Sequence, residues 1–173
     1  MVNQEHCAIK VGTDGTLLGA WANAPVGAAR ILDIGTGTGL IALMMAQRFP
    51  DAQIVGIDID PEATVQAREN VAASPFAARI MINRKDATKF EDKEGFDAIV
   101  SNPPYFVDSL TCPAEQRTMA RHAVTLNYKT LMHAANNLLK NDGIISIVIP
   151  TENIEDINSI AALEGLFVSR ICK

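Results

Sequence analysis

Apolar positions fall in short, nearly continuous runs separated by longer stretches in which apolar and polar residues alternate with a helical period. "RILDI" (30–34), "AQIVGID" (52–58), "ARIMIN" (78–83), "FDAIVS" (96–101) and "IISIVIP" (144–150) predict buried strands, and "LFVSRI" (166–171) predicts a sixth. "GLIALMMAQRF" (39–49), "PEATVQARENVAA" (61–73), "YKTLMHAANNLLK" (128–140) and "IEDINSIAAL" (154–163) predict helices. Pro61 sits near the first turn of the second of these, and "NDG" stops the third. Strands without polar alternation, each followed by a helix, predict an α/β, doubly wound architecture: a mostly parallel central sheet with helices on both faces and right-handed crossovers.

No repeat, low-complexity tract or Gly/Ser linker interrupts the pattern, so residues 1–173 read as a single domain. The opening "MVNQEHCAIKVGTDG" offers no clear first element. A sixth strand stopping at Lys173 would leave a raw edge. The expectation is a domain cut short at its C-terminus, with the N-terminus a second candidate.

Composition narrows the classes. With 48% hydrophobic and 20% charged residues, the chain is ordinary for a globular protein, and no apolar run reaches membrane-spanning length. No basic segment leads into an apolar signal core, so a cytoplasmic protein with no membrane partner is expected. Cys7, Cys112 and Cys172 are isolated and lack metal-ligand spacing, which fits small buried thiols in a reducing compartment and predicts no metal. The net charge of −5 argues against a domain that grips nucleic acid over its whole surface. A local exception is "RTMARHAVTLNYK", where Arg117, Arg121, His122 and Lys129 occur with no acid among them. It is either a phosphate-contacting patch or a solvated helix face.

The chemistry gathers at predicted strand ends. "LDIGTGTGL" follows the first strand with Gly35, Gly37 and Gly39 spaced G-x-G-x-G. This is not the G-x-G-x-x-G loop that seats a pyrophosphate on a helix N-terminus. It suits a ligand without phosphate whose amino-acid end rests on glycine backbone, and Asp33 puts a carboxylate where a cationic amino group could sit. Asp58 ends the second strand 19 residues after Gly39, near the roughly 20-residue offset at which an acid meets ribose hydroxyls. Ile59 follows as an apolar cover for one face of an adenine, and Asp86 ends the third strand beside the same crevice. These motifs resemble those of the class I S-adenosylmethionine-dependent methyltransferases, over roughly residues 30 to 150. The resemblance implies a Rossmann-like methyltransferase fold, with S-adenosyl-L-methionine as cofactor. It also implies that Asp33 and the Gly35–Gly39 loop hold the methionine part, Asp58 the ribose, and Asp86, Ala87 and Ile59 the adenine.

"SNPPYF" (101–106) ends the fourth strand at that crevice. Neither proline can donate to a ladder, so the strand must stop there. Facing a methyl donor, the Asn102 side-chain oxygen and the Pro103 carbonyl can accept both hydrogens of a planar amino group. This draws the nitrogen toward tetrahedral geometry, with its lone pair aimed at the methyl. Tyr105 offers a face on which a flipped-out base can stack. The alternative is a plain Pro-Pro turn with a core tyrosine.

"NPPY" is shared by amino methyltransferases acting on adenine N6, guanine N2 and the glutamine side chain. Together with "KVGTDGTLLGAWA" (10–22), "NPPYF" and "RTMARH" ahead of "LNYKTLMHAA", the chain is similar to the bacterial tRNA1(Val) adenine-37 N6-methyltransferase family. That resemblance implies tRNA as partner and an anticodon-loop adenine as acceptor. Asn102, Pro103 and Tyr105 are then the catalytic residues, with Asn102 and Thr13 also at the donor. Pro104, Phe106, Arg117, Arg121 and Lys129 lie toward the RNA. Thr13 and Asp14 have an equally good local role as a helix cap. The family usually has an aromatic segment ahead of Gln4, and a basic loop and final antiparallel strand after the sixth; this chain has neither. Oligomeric state stays open, with a monomer favoured. Alternatives are a glutamine N5-methyltransferase acting on a release factor, a guanine N2 rRNA methyltransferase, and a non-catalytic nucleoside-binding module. Glycine spacing disfavours a nicotinamide oxidoreductase.

Overall fold

The computed structural model describes residues 2–3, 12–27, 29–103 and 126–173. Pro104, Tyr105, Phe106, Arg117, Arg121, Cys7 and Cys112 lie outside the described residues. The order is α1 (Thr13–Trp21), β1 (Arg30–Ile34), α2 (Leu40–Arg48), β2 (Gln53–Asp58), α3 (Pro61–Ala72), β3 (Ile80–Arg84), β4 (Phe96–Ser101), α4 (Tyr128–Leu138), β5 (Leu139–Ile147) and α5 (Ile154–Leu163).

The five strands form one sheet in the order β3-β2-β1-β4-β5, and each neighbouring pair is parallel. The central strands bury both faces, whereas β3, at the sheet edge, leaves Met81 exposed. In β1, Ile31 packs with α2 and α3 residues such as Met45, Ala46 and Ala67, while the next residue, Leu32, packs with Leu131, Leu138 and Ile157 of α4 and α5. Ala98 and Val100 of β4 share the first core, and Ile99 belongs to the second. Two cores on one sheet explain why the strand sequences lack polar alternation.

The chain runs β1, β2, β3 in one direction across the sheet and then returns to place β4 on the other side of β1. This reversal is the topological switch point, the place at the strand carboxyl ends where open α/β sheets bind their ligands. In register, Ile34 lies beside both Ile57 and Ser101, so the loops after β1, β2 and β4 start at one level.

Four expectations need correction. A first element does exist: α1 spans Thr13–Trp21. It escapes notice because its buried face is Gly15, Leu18 and Gly19, while Leu17 points outward. "NDG" does not separate helix from strand. β5 begins at Leu139, and Phe96 and Ala98 pair with Leu139 and Ile144, so the intervening residues loop out as a bulge. The strand also ends at Ile147 rather than residue 150.

The expected sixth strand, 166–171, pairs with no strand among the described residues. Gly165 takes φ +77° and the Leu166 N–H returns to the Ala161 carbonyl, closing α5 with a left-handed cap. Phe167, Val168 and Ile171 are then 84%, 52% and 50% exposed. Arg170 stacks its guanidinium 4.1 Å above the Trp21 ring and donates to the Trp21 carbonyl, so the segment leads toward the end of α1 rather than along a sheet edge.

Candidate active site

The glycine loop is built from backbone bonds that turn it toward β2. The N–H groups of Gly35 and Thr36 both donate to the Ile57 carbonyl, and the Gly39 N–H donates to the Thr36 carbonyl. Gly37 takes φ +54° and Gly39, the N-cap of α2, φ +80°, a region that disfavours any side chain. Gly39 is constrained twice, because a Cβ there would sit 3.4 Å from the Ala67 Cβ on α3. Asn70 on α3 supports the loop from behind. Its side-chain amide donates to the Thr38 carbonyl at 2.9 Å and to the Asn3 carbonyl at 2.8 Å, while its oxygen accepts from the Asn3 N–H.

Asp33 lies under this loop and is fully buried. Its Oδ2 accepts from the Thr36 hydroxyl at 2.7 Å and from the Ala42 N–H, in the first turn of α2, at 3.1 Å. Oδ1 is buried with no hydrogen-bond partner. Burial pushes the carboxyl up to about 7; the Thr36 and Ala42 bonds oppose that rise, and the nearby Asp58 charge adds to it.

Asp58 closes the other side of the crevice. Its Oδ2 accepts from the Gly37 N–H and its Oδ1 from the Asp60 N–H, both at 2.9 Å. Ile59 is half-buried beside it. Asp86 stands at the end of the connection leaving β3. Its side chain accepts from the Thr88 N–H and hydroxyl, at 3.0 and 2.7 Å, and so caps the single turn Ala87–Lys89, in which Ala87 is buried.

β4 delivers Asn102, half-buried, and Pro103, buried. Just before them, the buried Ser101 hydroxyl donates to the Ile34 carbonyl at 2.9 Å. α1 flanks Asn102 from the other side: a Cβ on Gly15 would lie 3.6 Å from the Asn102 amide nitrogen. Gly19, one turn on, lets α1 approach α2, since a Cβ there would be 2.5 Å from the Met44 sulfur. Thr13 is exposed at the first position of α1, which Gly12 caps without a side-chain bond, so neither Thr13 nor Asp14 is the cap. Lys129 is exposed in the first turn of α4, beside Asn127, whose side chain caps that helix through the Thr130 N–H.

The fold thus brings Asp33, Gly35, Gly37, Gly39, Asp58, Ile59, Asp86, Ala87, Asn102 and Pro103 to the strand-end side of one sheet. Sequence reasoning missed Gly15, Asn70 and Ser101. The G-x-x-x-G spacing of Gly15 and Gly19 was a readable sign of close helix packing; an amide or hydroxyl aimed at a distant carbonyl leaves no pattern. Among the described residues no group of His, Cys, Asp or Glu is arranged to hold a metal, and no helix is long and apolar enough to cross a membrane.

Comparison with known proteins gives a consistent picture. The family model described as "Methyltransferase small domain" matches residues 12–167. A tRNA1(Val) (adenine(37)-N6)-methyltransferase from Bacteroides thetaiotaomicron is 53% identical over 167 residues, covering 96% of this chain and 70% of that protein. The protein of the same name from Histophilus somni is 44% identical over 175 residues, covering 99% and 72%. Among solved structures, TrmN from Thermus thermophilus aligns with a TM-score of 0.61 at 24% identity, covering 87% of this chain and 40% of that one. A methyltransferase from Thiobacillus denitrificans, solved in complex with S-adenosyl-L-homocysteine, aligns at 0.59 with 18% identity, covering 96% and 62%. These structural likenesses support the Rossmann-like methyltransferase fold.

Proposed function

We propose that this chain, which belongs to the methyltransferase small domain family, transfers a methyl group from S-adenosyl-L-methionine to N6 of adenine 37 in tRNA1(Val). The curated relatives at about half identity carry that activity in their names. One structural observation supports the chemistry most directly: the glycine loop and Asn102 issue from adjacent strands at the switch point, from residues paired in register. A donor on the loop and an amino group at Asn102 then meet across one crevice. The relatives' names favour adenine N6 over glutamine N5 and guanine N2.

The residues fit the donor. Asp33 Oδ1 is a buried polar atom without a partner beneath the loop. A Cβ on Gly35 would meet nothing within 4 Å, so the loop leaves room for a ligand against its backbone. The Gly35–Gly39 loop and Asp33 would hold the methionine part, with Thr13 near its carboxylate. Asp58 would accept from the ribose hydroxyls, and Ile59, Asp86 and Ala87 would border the adenine. The donor supplies an electrophilic methyl on a sulfonium.

The chain supplies position and polarity. The Asn102 Oδ1 and the Pro103 carbonyl accept the two hydrogens of the target amino group, which favours a pyramidal nitrogen over a flat one. Proline rigidity keeps the carbonyl aimed. No strong base is required, because positive charge arriving at nitrogen makes its proton acidic. Tyr105, with Pro104 and Phe106, would supply the stacking surface, and Arg117, Arg121 and Lys129 the phosphate contacts. The enzyme acts where tRNA is processed, in the cytoplasm, and needs no metal.

The test is incubation with labelled donor and an unmodified tRNA1(Val) anticodon stem-loop, followed by nucleoside analysis. N6-methyladenosine at position 37, absent when that base is guanine, is the expected result. Label in guanine, in a protein glutamine or nowhere would overturn the reading.

A further inference from the structure

At the switch point the neighbouring strands β1 and β4 end side by side, with Ile34 and Ser101 paired in register. After Ile34, the N–H groups of Gly35 and Thr36 turn to the Ile57 carbonyl on β2. On the other side, the Ser101 carbonyl accepts from the Val148 N–H, just past the end of β5, at 3.4 Å. The donor loop is thus bonded toward β2 and Ser101 toward β5, on opposite sides of the paired strand ends Ile34 and Ser101. A side-chain bond reinforces this pair at the floor of the crevice: the Ser101 hydroxyl to the Ile34 carbonyl, 2.9 Å, fully buried.

We infer that Ser101 is a positioning residue that fixes the distance between the donor loop and the Asn102–Pro103 acceptor groups. The inference rests on the methyltransferase reading above. Ser101 touches neither substrate, and it acts by holding Ile34, which carries the donor loop, against the strand end that carries Asn102. Methyl transfer needs its reacting atoms within a narrow approach distance, so a small widening of this floor costs rate without removing any contact to donor or RNA. A carbonyl has two lone pairs, so loss of the hydroxyl leaves Ile34 able to keep a backbone partner. The fold does not depend on this bond; sheet ladders on both sides of β4 remain.

The test compares Ser101→Thr with Ser101→Val, two side chains of the same shape that differ in the hydroxyl. Ser101→Ala controls for added volume. Single-turnover methylation of the anticodon stem-loop is measured with donor and RNA both saturating. Binding of S-adenosylhomocysteine is measured by calorimetry, and hydrogen exchange is followed at the amides of Gly35 and Asn102. Ser101→Val and Ser101→Ala should lose about tenfold or more in rate, a fraction of what an ångström of misplacement costs, with affinity for S-adenosylhomocysteine unchanged. Their Gly35 and Asn102 amides should exchange faster than in the wild type. Ser101→Thr should restore both rate and protection. Equal rates for Thr and Val, or a rate loss matched by lost affinity, would overturn the inference while the wild type still methylates adenine. A wild type that methylates nothing would overturn the activity reading and this inference with it.

Discussion

The Gly37 N–H donates to Asp58 Oδ2 at 2.9 Å, so the middle of the glycine loop hangs on the last side chain of β2. Asp58 has a second such duty, accepting from the N–H of Asp60, the N-cap of α3. The carboxylate proposed to read the ribose is therefore also the post to which the donor loop is tied. Its two oxygens offer about four acceptor directions, so backbone and ribose hydroxyls can be served together.

Asp58→Ala should accordingly weaken donor binding by roughly 2–4 kcal/mol, more than one lost ribose contact, because the loop loses its tether as well. Asp58→Asn should be nearly as damaging, since its amide turns a donor toward one of two backbone donors. Calorimetry with S-adenosylhomocysteine checks both, and unchanged affinity in Asp58→Ala would remove Asp58 from the donor site.

Asp33 predicts a pH signature. Its carboxyl is raised to about 7 in the folded chain from an ordinary value of 3.8, chiefly by burial. The folded state thus retains a proton that the unfolded state gives up, and stability from this group falls as pH rises from about 4 to about 7, then levels. Asp33→Asn carries no such proton. Its Tm should lack that part of the decline between about pH 4 and about pH 7, and its donor affinity should drop because an amide disturbs the Thr36 and Ala42 bonds that shape the loop. Parallel Tm–pH curves for the two proteins would show that Asp33 does not titrate in this range.

How much of this was legible in the sequence depended on whether the signal was local. The first four near-continuous apolar strands, and Pro61 with Asp60 at the start of α3, carry their own instructions, and those elements appear within a residue or two of expectation. α1 was legible only as a cap candidate at Thr13 and Asp14, because the residues it buries include two glycines, which carry no hydrophobic signal. Residues 166–171 misled in the opposite sense: their apolar side chains suggested a strand, but the left-handed cap at Gly165 and the attachment of Arg170 to Trp21 direct the chain elsewhere. In the site, glycines and strand-end acids could be named from spacing. That Asp33 would be wholly enclosed, and that Asp86 would be capping its own turn, depends on loops that only the three-dimensional packing defines.

Gly56 illustrates such hidden coupling. It lies beside Asp33 in the β1–β2 register, and a Cβ there would be 2.6 Å from the Ile82 Cδ1 and 2.8 Å from the Thr36 hydroxyl. Gly56→Ala must therefore push Thr36 away from Asp33. It should cost about 1–3 kcal/mol of stability, as overpacking in a dense core does, and weaken donor binding although the residue touches no ligand. A stable variant with normal donor affinity would mean that Thr36 can yield without disturbing the loop.

Lys129 tests the RNA face. It is an exposed cation in the first turn of α4, where the helix dipole disfavours positive charge. Among the described residues it forms no ion pair that would offset this. Lys129→Gln should leave Tm unchanged or slightly raised and lower the salt slope of tRNA binding by about one unit. An unchanged slope would make it a solvated lysine.

Asn102 carries the sharpest prediction, because its two neighbours constrain what a mutation can do. Pro103 is buried and β4 is paired on both sides through Ser101, so the backbone at this point is held independently of the Asn102 side chain. Gly15 faces the Asn102 amide from α1, where a Cβ would make ordinary contact with its nitrogen at 3.6 Å. Asn102→Ala should fold normally and bind the donor with little change. It removes an acceptor that matters chiefly as the target nitrogen pyramidalises, so kcat should fall by about 10² or more, the scale of one lost preorganised transition-state hydrogen bond. KM for RNA should move much less, since base stacking and phosphate contacts remain. Asn102→Asp keeps an acceptor oxygen at the same place and adds a charge, and should retain more activity than Asn102→Ala. Single-turnover methylation of the tRNA1(Val) anticodon stem-loop distinguishes these outcomes. If Asn102→Ala transfers methyl at the wild-type rate, the Asn-Pro-Pro turn serves only to end a strand, and the amino group must be held by residues elsewhere.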